Sequence, residues 1–397
     1  MNILLCHNYY KFPGGESEVF EAEIRGLTRM GNETLIFQRQ NKDIEKFPVT
    51  RRTGLLFSAY YSQNTYRDLR NLIRNEKPRL AIVQNVFPLL SPSVYIALSD
   101  ADLPVIQAVY NYRLICPSAE LFTEGEICER CVGGNTIHAV IHKCYRGSYA
   151  QSAWYASIIG LHRHLGTFAH RITSFMVPDA FLGNKLAEGG IPSEKIWRNP
   201  NPFFVQDYEP RSSHNGYVLF VGRLVRQKGI LTILNAMLES RSTSRLIIVG
   251  QGELADTVKA RISDSSLAGR VDWLGPRWGD EITRLIRDCA AVVIPSEWYD
   301  NLPMILCRAN AMGKPVIASR INGIPEYIRE GENGYLFEPG DAATLSRLID
   351  RILQLSPEEY SNLSSRARLF AEQVLDYPIH YANLMTQIRS LGRGNSQ

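Results

Sequence analysis

Cysteine is scarce, seven residues in a chain of 397, and the count is odd. That fits a reducing compartment better than a disulfide framework. Long apolar runs are missing too. No window reaches the ~18 uninterrupted apolar residues that a membrane span needs, because the most apolar stretch, Trp154 to Leu161, runs into His162, Arg163 and His164. The opening MNILLCHNYY has neither a basic start nor a small-residue cleavage site, so it is expected to be a strand and not a signal peptide. Glycine and proline, at 29 and 20 residues, are too few for a collagen or low-complexity chain. With 45% hydrophobic and 21% charged residues, disorder is excluded as well. What remains is an ordinary folded protein, expected in the cytoplasm. At ~100–200 residues per domain its length argues for two.

Excess charge is also small, with 44 basic against 40 acidic side chains, and no nucleic-acid partner is expected. The excess is nevertheless local. Residues 51–79 hold Arg51, Arg52, Arg67, Arg70, Arg74, Lys77 and Arg79 against only Asp68 and Glu76. Two readings stand side by side, a solvated helix face and a surface that meets anionic lipid or a phosphorylated acceptor.

Apolar runs of strand length alternate with stretches of helical period in both halves, the pattern of parallel sheets with crossover helices. The expected strands are Asn2–Cys6, Thr34–Gln38, Leu80–Gln84, Val105–Val109 and Ser174–Val177, then Tyr217–Val221, Ser244–Val249, Val271–Leu274, Ala291–Pro295, Pro315–Ala318 and Gly334–Phe337. Helices are expected over Glu16–Met30 and Tyr66–Asn75. Two doubly wound α/β sheets in tandem are the economical reading, with the boundary in the Pro- and Asn-rich stretch Asn199–Asn215. A ligand is then expected in a cleft between the domains, at the carboxyl ends of both sets of strands.

The loop after Tyr217–Val221 reads GRLVRQKG, Gly222 to Gly229. Arg223 and Lys228 on a strand-to-helix loop suit a diphosphate, one as a fork and one as a point charge; alone, the segment would read as an exposed basic loop. Further on, Pro295 to Ser319 joins two apolar strands through a helix expected to begin near Asn301 or Leu302. Asp300 and Asn301 are good cap types there, Pro303 fits a first turn, and the free amides would form an anion site. The GIPE turn, Gly323 to Glu326, opens another helix in the same row. Near the amino terminus PGGES places Gly14 and Gly15 ahead of a helix, where backbone can approach a charged ligand, although the pattern is not the GxGxxG fingerprint.

FVGRLVRQKGI, LIIVGQGEL, VDWLG, PSEWYDNLPMILCRANAMGKPVIAS and GIPEYIREGENGYLFEPGD, in this order and spacing, resemble the donor-binding half of glycosyltransferase family 4, retaining GT-B enzymes that use nucleotide sugars. HNYYKFPGGES, NVFPLLSPSVY and NYRLICP resemble the acceptor half of members that build bacterial surface polysaccharides. The resemblance implies the GT-B fold, two Rossmann-like domains facing across a cleft. Residues 1–205 would bind acceptor, with an insertion at 116–146. Residues 206–375 would bind the nucleotide-sugar donor, and 376–397 would form a helix crossing back to the first domain.

It also implies roles. Arg223 and Lys228 would meet the donor diphosphate, Asn301, Leu302 and Met304 the sugar and phosphate, and Gly15 the leaving phosphate, with Gly14 and Gly222 also on the donor side. Asp300 would be catalytic, Glu326 and Arg308 would lie at the donor, and Tyr110, Asn111 and Arg113 on the acceptor side. The family's two Glu, with seven residues between them, are here Asp300 and Arg308. The second change is severe, because that Glu accepts hydrogen bonds from ribose hydroxyls and Arg offers donors only. Tyr110 stands where a His commonly precedes NYR, and it has no titration near neutral pH.

Cys116, Cys128, Cys131 and Cys144 make a C-x11-C-x2-C-x12-C set in one loop-rich insertion. Structural zinc, unliganded thiols, and a disulfide or cluster all remain open for it. Cys6, Cys289 and Cys307 are expected to be buried small hydrophobes, and Trp154, Tyr155 and Phe168 core or groove lining. The function expected is a metal-independent retaining sugar transferase acting on a glycan or lipid-linked acceptor in surface-polysaccharide assembly, cytoplasmic or peripheral on the inner membrane face. The alternatives are a degenerate protein of this fold that binds glycan or a partner enzyme, and a nucleotide-sugar epimerase or hydrolase.

Overall fold

The computed structural model describes residues 1–11, 14–240, 244–263 and 266–394. The chain divides into two compact units, Met1–Pro202 with His380–Gln397, and Phe203–Ile379.

In the first unit the strands are β1 (Asn2–Tyr9), β2 (Glu33–Gln40), β3 (Leu80–Val83), β4 (Val105–Ala108), a hairpin of β5 (Phe122–Thr123) and β6 (Glu126–Ile127), then β7 (Ser174–Val177) and β8 (Ile196–Arg198). Six of them form one sheet in the order β2-β1-β3-β4-β7-β8, every pair parallel. β3, β4 and β7 are buried along their whole length, as strands covered on both faces must be, and that is why they read as unbroken apolar runs. β8 was not expected from the sequence. It is a three-residue edge strand with no fully buried side chain, so it carries no apolar run to read. The helix Gly15–Arg29 buries Val19, Phe20, Glu23 and Leu27 on one face, the helical spacing that holds it against the sheet.

The second unit has β9 (Tyr217–Val221), β10 (Arg245–Val249), β11 (Val271–Trp273), β12 (Ala291–Ile294), β13 (Val316–Ser319) and β14 (Gly334–Phe337). They form a second parallel sheet in the order β11-β10-β9-β12-β13-β14. Strand order reverses between β1 and β3 in one sheet and between β9 and β12 in the other. At such switch points the loops leaving the carboxyl ends splay apart, and ligands bind there.

The chain passes from the first unit to the second at Pro202 because Phe203 and Val205, despite their Pro- and Asn-rich surroundings, already pack in the second unit's core beside Leu219, Val292 and Phe370. The last helix, Tyr377–Gly394, starts in that unit, where Tyr377 stacks on Phe204 at 4.9 Å. From His380 onward it belongs to the first, with Leu384 buried beside Ile3, Leu5 and Leu27. His380 Nε2 lies 2.8 Å from the Glu23 carboxylate, both side chains fully buried, and Nδ1 lies 2.7 Å from the Pro200 carbonyl. Two acceptors around one ring favour the imidazolium. Burial alone would lower this histidine's pKa, but Glu23 and the Pro200 carbonyl outweigh it and raise it.

Candidate functional site

β9 ends at Val221 and the chain turns through Gly222–Val225 into a short 3-10 turn, Arg226–Lys228. Gly229 then adopts φ 66°, and a Cβ there would sit 1.7 Å from the Pro295 carbonyl oxygen. Only glycine permits both. The approach clamps the β9 loop onto the end of β12. Gly250 does the same from β10, at φ 143°, with an added Cβ 1.8 Å from the Gly222 carbonyl.

This contact places Lys228 beside the loop after β12. Its ammonium donates to the Asp300 carboxylate, which also accepts from Ser296 Oγ at 3.1 Å. Asn322, whose side-chain amide donates to the Asp300 carbonyl, sits at φ 48°, a conformation Asn tolerates better than most residues. The Lys228 Nζ lies 5.4 Å from the Trp298 ring centroid, close enough for a cation–π attraction. Thr232 Oγ1 donates to Glu297, and the Glu297 amide donates to the Gln227 carbonyl at 2.8 Å. Lys228 and Asp300 are 22% and 13% exposed at the side chain. The pair is therefore held, yet Lys228 can reach a ligand.

The helix expected to start at Asn301 or Leu302 starts at Met304, with Pro303 as its extended cap residue. An X-Pro bond pushes Leu302 out of helical geometry, so residues 300–303 form a loop and Leu302 is buried in the core. Helical periodicity thus cannot relate Asn301 to Arg308. Arg308 is half-buried in the second turn of that helix, Met304 half-buried at its start, Arg223 exposed on the β9 loop, and Glu326 exposed on the 3-10 turn Ile324–Tyr327. The structure joins Lys228 to Asp300. It adds Ser296, Glu297, Thr232 and Asn322, which sequence reasoning missed. Glu297 lies within the PSEWYDN stretch and Asn322 directly precedes the GIPE turn, but neither has a spacing that signals a role.

In the first unit a small pocket lies at the carboxyl ends of β3 and β4, lined by Glu16, Gln84, Gln107, Tyr110, Asn111 and Arg113 among others. Asn111 Nδ2 donates to the Glu16 carboxylate and lies 3.3 Å from Tyr10 Oη. Its Oδ1 accepts from the Arg113 amide at 2.8 Å. The Arg113 guanidinium donates to the Pro117 carbonyl and lies 4.8 Å from the Tyr155 ring centroid. Desolvation raises the Glu16 pKa, opposed by Asn111, Arg113 and Tyr10. Burial, chiefly, raises that of Tyr110 well above its ordinary value, with Glu23 and Glu16 adding to it. Both amide atoms of Gln84 are buried without a hydrogen-bond partner among the described residues, a costly state unless a ligand satisfies them. Gly14 and Gly15 are exposed at the start of the helix over Glu16. Tyr155 and Phe168 are core residues and Trp154 is half-buried, its Nε1 donating to the Leu56 carbonyl at 2.9 Å. Cys6, Cys289 and Cys307 are buried as expected.

Cys116, Cys128, Cys131 and Cys144 line a separate small pocket. All four are free thiols. Among the described residues, no three His, Cys, Asp or Glu stand in metal-ligating geometry. No described helix is long and apolar enough to cross a membrane.

Residues 207–370 match the family described as Glycosyl transferases group 1. The chain is similar to the lipopolysaccharide core biosynthesis glycosyltransferase LpsE of Rhizobium meliloti, 31% identical over 34% of this chain and 39% of that one. It also resembles the amylovoran biosynthesis glycosyltransferase AmsK of Erwinia amylovora, 30% identical over 34% and 36%. The chain thus spans little more than a third of the length of these curated relatives. Among solved structures it superimposes on Anabaena Alr3699/HepE in complex with UDP, at 17% identity, 98% and 100% coverage and TM-score 0.67. Sucrose-phosphate synthase from Thermosynechococcus elongatus gives 16%, 99% of each chain and 0.69. Residues 207–370 thus resemble the Glycosyl transferases group 1 family, in a chain whose two parallel-sheet α/β units have the GT-B fold.

Proposed function

We propose that this protein moves a sugar from a nucleoside diphosphate sugar to a glycan or lipid-linked acceptor in surface-polysaccharide assembly, with retention at the anomeric carbon. The observation that carries the reading is the Lys228–Asp300 pair at the β9/β12 switch point, inside the stretch that matches the family.

Asp300 holds the ammonium in place, and Arg223 adds a second cation on the same loop. As the bond between the anomeric carbon and the diphosphate oxygen breaks, negative charge grows on the leaving group. Fixed cations and the first amides of the Met304–Ala311 helix lower the cost of that charge. The acceptor oxygen bonds to the anomeric carbon on the face the diphosphate leaves, and its proton passes to a diphosphate oxygen, so no protein base is needed. The amide-rich pocket of the first unit suits acceptor hydroxyls, with Gln84, Asn111 and Arg113 as partners. No metal enters this scheme.

HepE was solved with UDP and with UDP-glucose, which makes uridine diphosphate sugars the first donors to try. Product analysis with and without acceptor tests the reading. Transfer consumes donor only when acceptor is present, an epimerase converts donor alone, and a binding protein leaves it intact. The basic helices Val49–Ser58 and Gln63–Glu76 would hold the protein at the anionic inner face of a membrane, where lipid-linked acceptors reside.

A further inference from the structure

The insertion at 116–146 holds backbone in costly conformations with little apolar core to support it. Ala119, Leu121, Glu124, Lys143 and Arg146 all have positive φ, each a strained state for a residue with a side chain. Its only regular structure is the two-residue strands β5 and β6 and the helix Ile137–Ile141. The apolar cluster beneath it comprises Cys131, Ala139 and Ala156, with Val140 and Cys144 alongside. A loop-rich segment with so few apolar contacts of its own gains much from a covalent or metal staple, as small domains do.

The four cysteines meet where such a staple would act. Cys128 and Cys131 have the two-residue spacing of a metal-binding turn, followed by Gly133 in the left-handed region at φ 62°. Backbone bonds anchor three of the four. The Cys128 amide donates to Leu121 at 2.8 Å, Cys144 to Ala139 at 2.9 Å and Cys116 to Tyr112 at 2.8 Å. Polar groups already face the sulfurs. Ser118 Oγ lies 3.1 Å from Cys116 Sγ, the Cys144 thiol donates to Thr123 Oγ1 at 3.5 Å, and the Ala139 amide reaches Cys131. Once the thiols are deprotonated the two hydroxyls can donate in turn, and donors of this kind steady and orient metal-bound thiolates. Arg163, donating to the Cys131 carbonyl at 3.0 Å, supplies positive charge nearby.

We propose that Cys116, Cys128, Cys131 and Cys144 bind one zinc ion as four thiolates, and that this ion fixes the turn carrying Tyr110, Asn111 and Arg113. Each thiol gives its proton to solvent, zinc takes four sulfur bonds, and no electron moves. Among the described residues no three ligands stand in ligating geometry beforehand, so on this account the metal draws together four sulfurs that already line one pocket. The mechanical link to the turn is short: Cys116 bonds back to Tyr112, and Arg113 grips the carbonyl of Pro117.

The test is elemental analysis of the full chain purified without chelator, expected to return about one zinc per chain, as a structural four-thiolate site does. The variant Cys128→Ser with Cys131→Ser should fall below about a tenth of that. Should that variant not fold, titration of the native protein with an organomercurial must release the zinc as the accessible thiols react. His138, which also lines the pocket, is not a ligand on this account, so His138→Ala should keep its zinc. Chelation should lower the melting temperature while uridine diphosphate still protects residues 207–370 from proteolysis. Native protein without zinc, iron with acid-labile sulfide in its place, a Cys128–Cys131 disulfide found by mass spectrometry, or zinc lost from His138→Ala would each overturn the assignment.

Discussion

Lys228 and Asp300 are 72 residues apart in the chain, and each was legible alone: one as a cation after a strand, the other as a carboxylate before a helix. Their pairing was not, since it depends on two strands that are neighbours only in the folded sheet. Glu297 and Asn322 escaped notice for the same reason, their partners lying 65 and 22 residues away. Gln84 could not be found from sequence at all, because its character comes from buried amide atoms that lack partners among the described residues. Arg308 is the residue where the resemblance and the chain disagree most. Where the resemblance implies an acceptor of ribose hydrogen bonds, this chain has a group with donors only. Arg308→Glu is expected to tighten binding of a nucleoside diphosphate sugar by about 1–3 kcal/mol, the value of one or two charge-assisted hydrogen bonds. Calorimetry would check this. Weaker binding by the variant would make Arg308 itself a ligand contact.

Elements were read more securely than their ends. β7, β9 and β14 match the expected spans residue for residue, since a buried parallel strand is an apolar run with polar flanks. Failure came where another force set the boundary, as when Pro303 held Leu302 out of the helix or when edge burial left β8 without a pattern. The contact between two loops at Gly229 matters more to the site than any helix end. Gly229→Ala adds a methyl into the Pro295 carbonyl and a side chain at φ 66°. It is expected to destabilise the second unit by more than ~1 kcal/mol and to weaken donor binding by displacing Lys228. Retention of full stability in urea unfolding would show that the clamp is not tight. On the Gln63–Glu76 helix, Arg67 and Arg74 are exposed and Arg70 half-buried, and exposed Phe57 lies on the helix before it. Vesicle binding that requires anionic lipid, weakens with salt and disappears on charge reversal at these three arginines is expected. Equal binding to neutral vesicles would make the run a solvated face.

For the whole molecule, two buried histidines of the first unit pull stability in opposite directions with pH. His7 has both ring nitrogens buried without hydrogen-bond partners among the described residues, stacks on Phe20 at 4.6 Å, and is lowered by desolvation to about 4. The fold keeps it neutral, so its contribution is complete above the unfolded value near 6.5 and is lost as pH falls toward 4, on the order of 3 kcal/mol in all. His380 is raised by Glu23, so its contribution is complete below the unfolded value and is lost as pH rises through its folded value. His7→Phe should therefore flatten the acid limb of a melting-temperature profile, and His380→Gln the limb above neutrality. An acid limb unchanged in His7→Phe would contradict the neutral buried ring.

The central claim is that Arg223 and Lys228 stabilise the diphosphate leaving a sugar donor. It is tested most directly by following donor consumption and glycan product for the native chain, Arg223→Ala and Lys228→Ala, each with and without acceptor. Acceptor-dependent transfer is expected for the native chain, reduced by on the order of 10²–10³ in each variant, the scale for losing one charge-stabilising donor, with unchanged circular dichroism. Donor turnover that needs no acceptor, or losses below about threefold in both variants, well short of that scale, would contradict it.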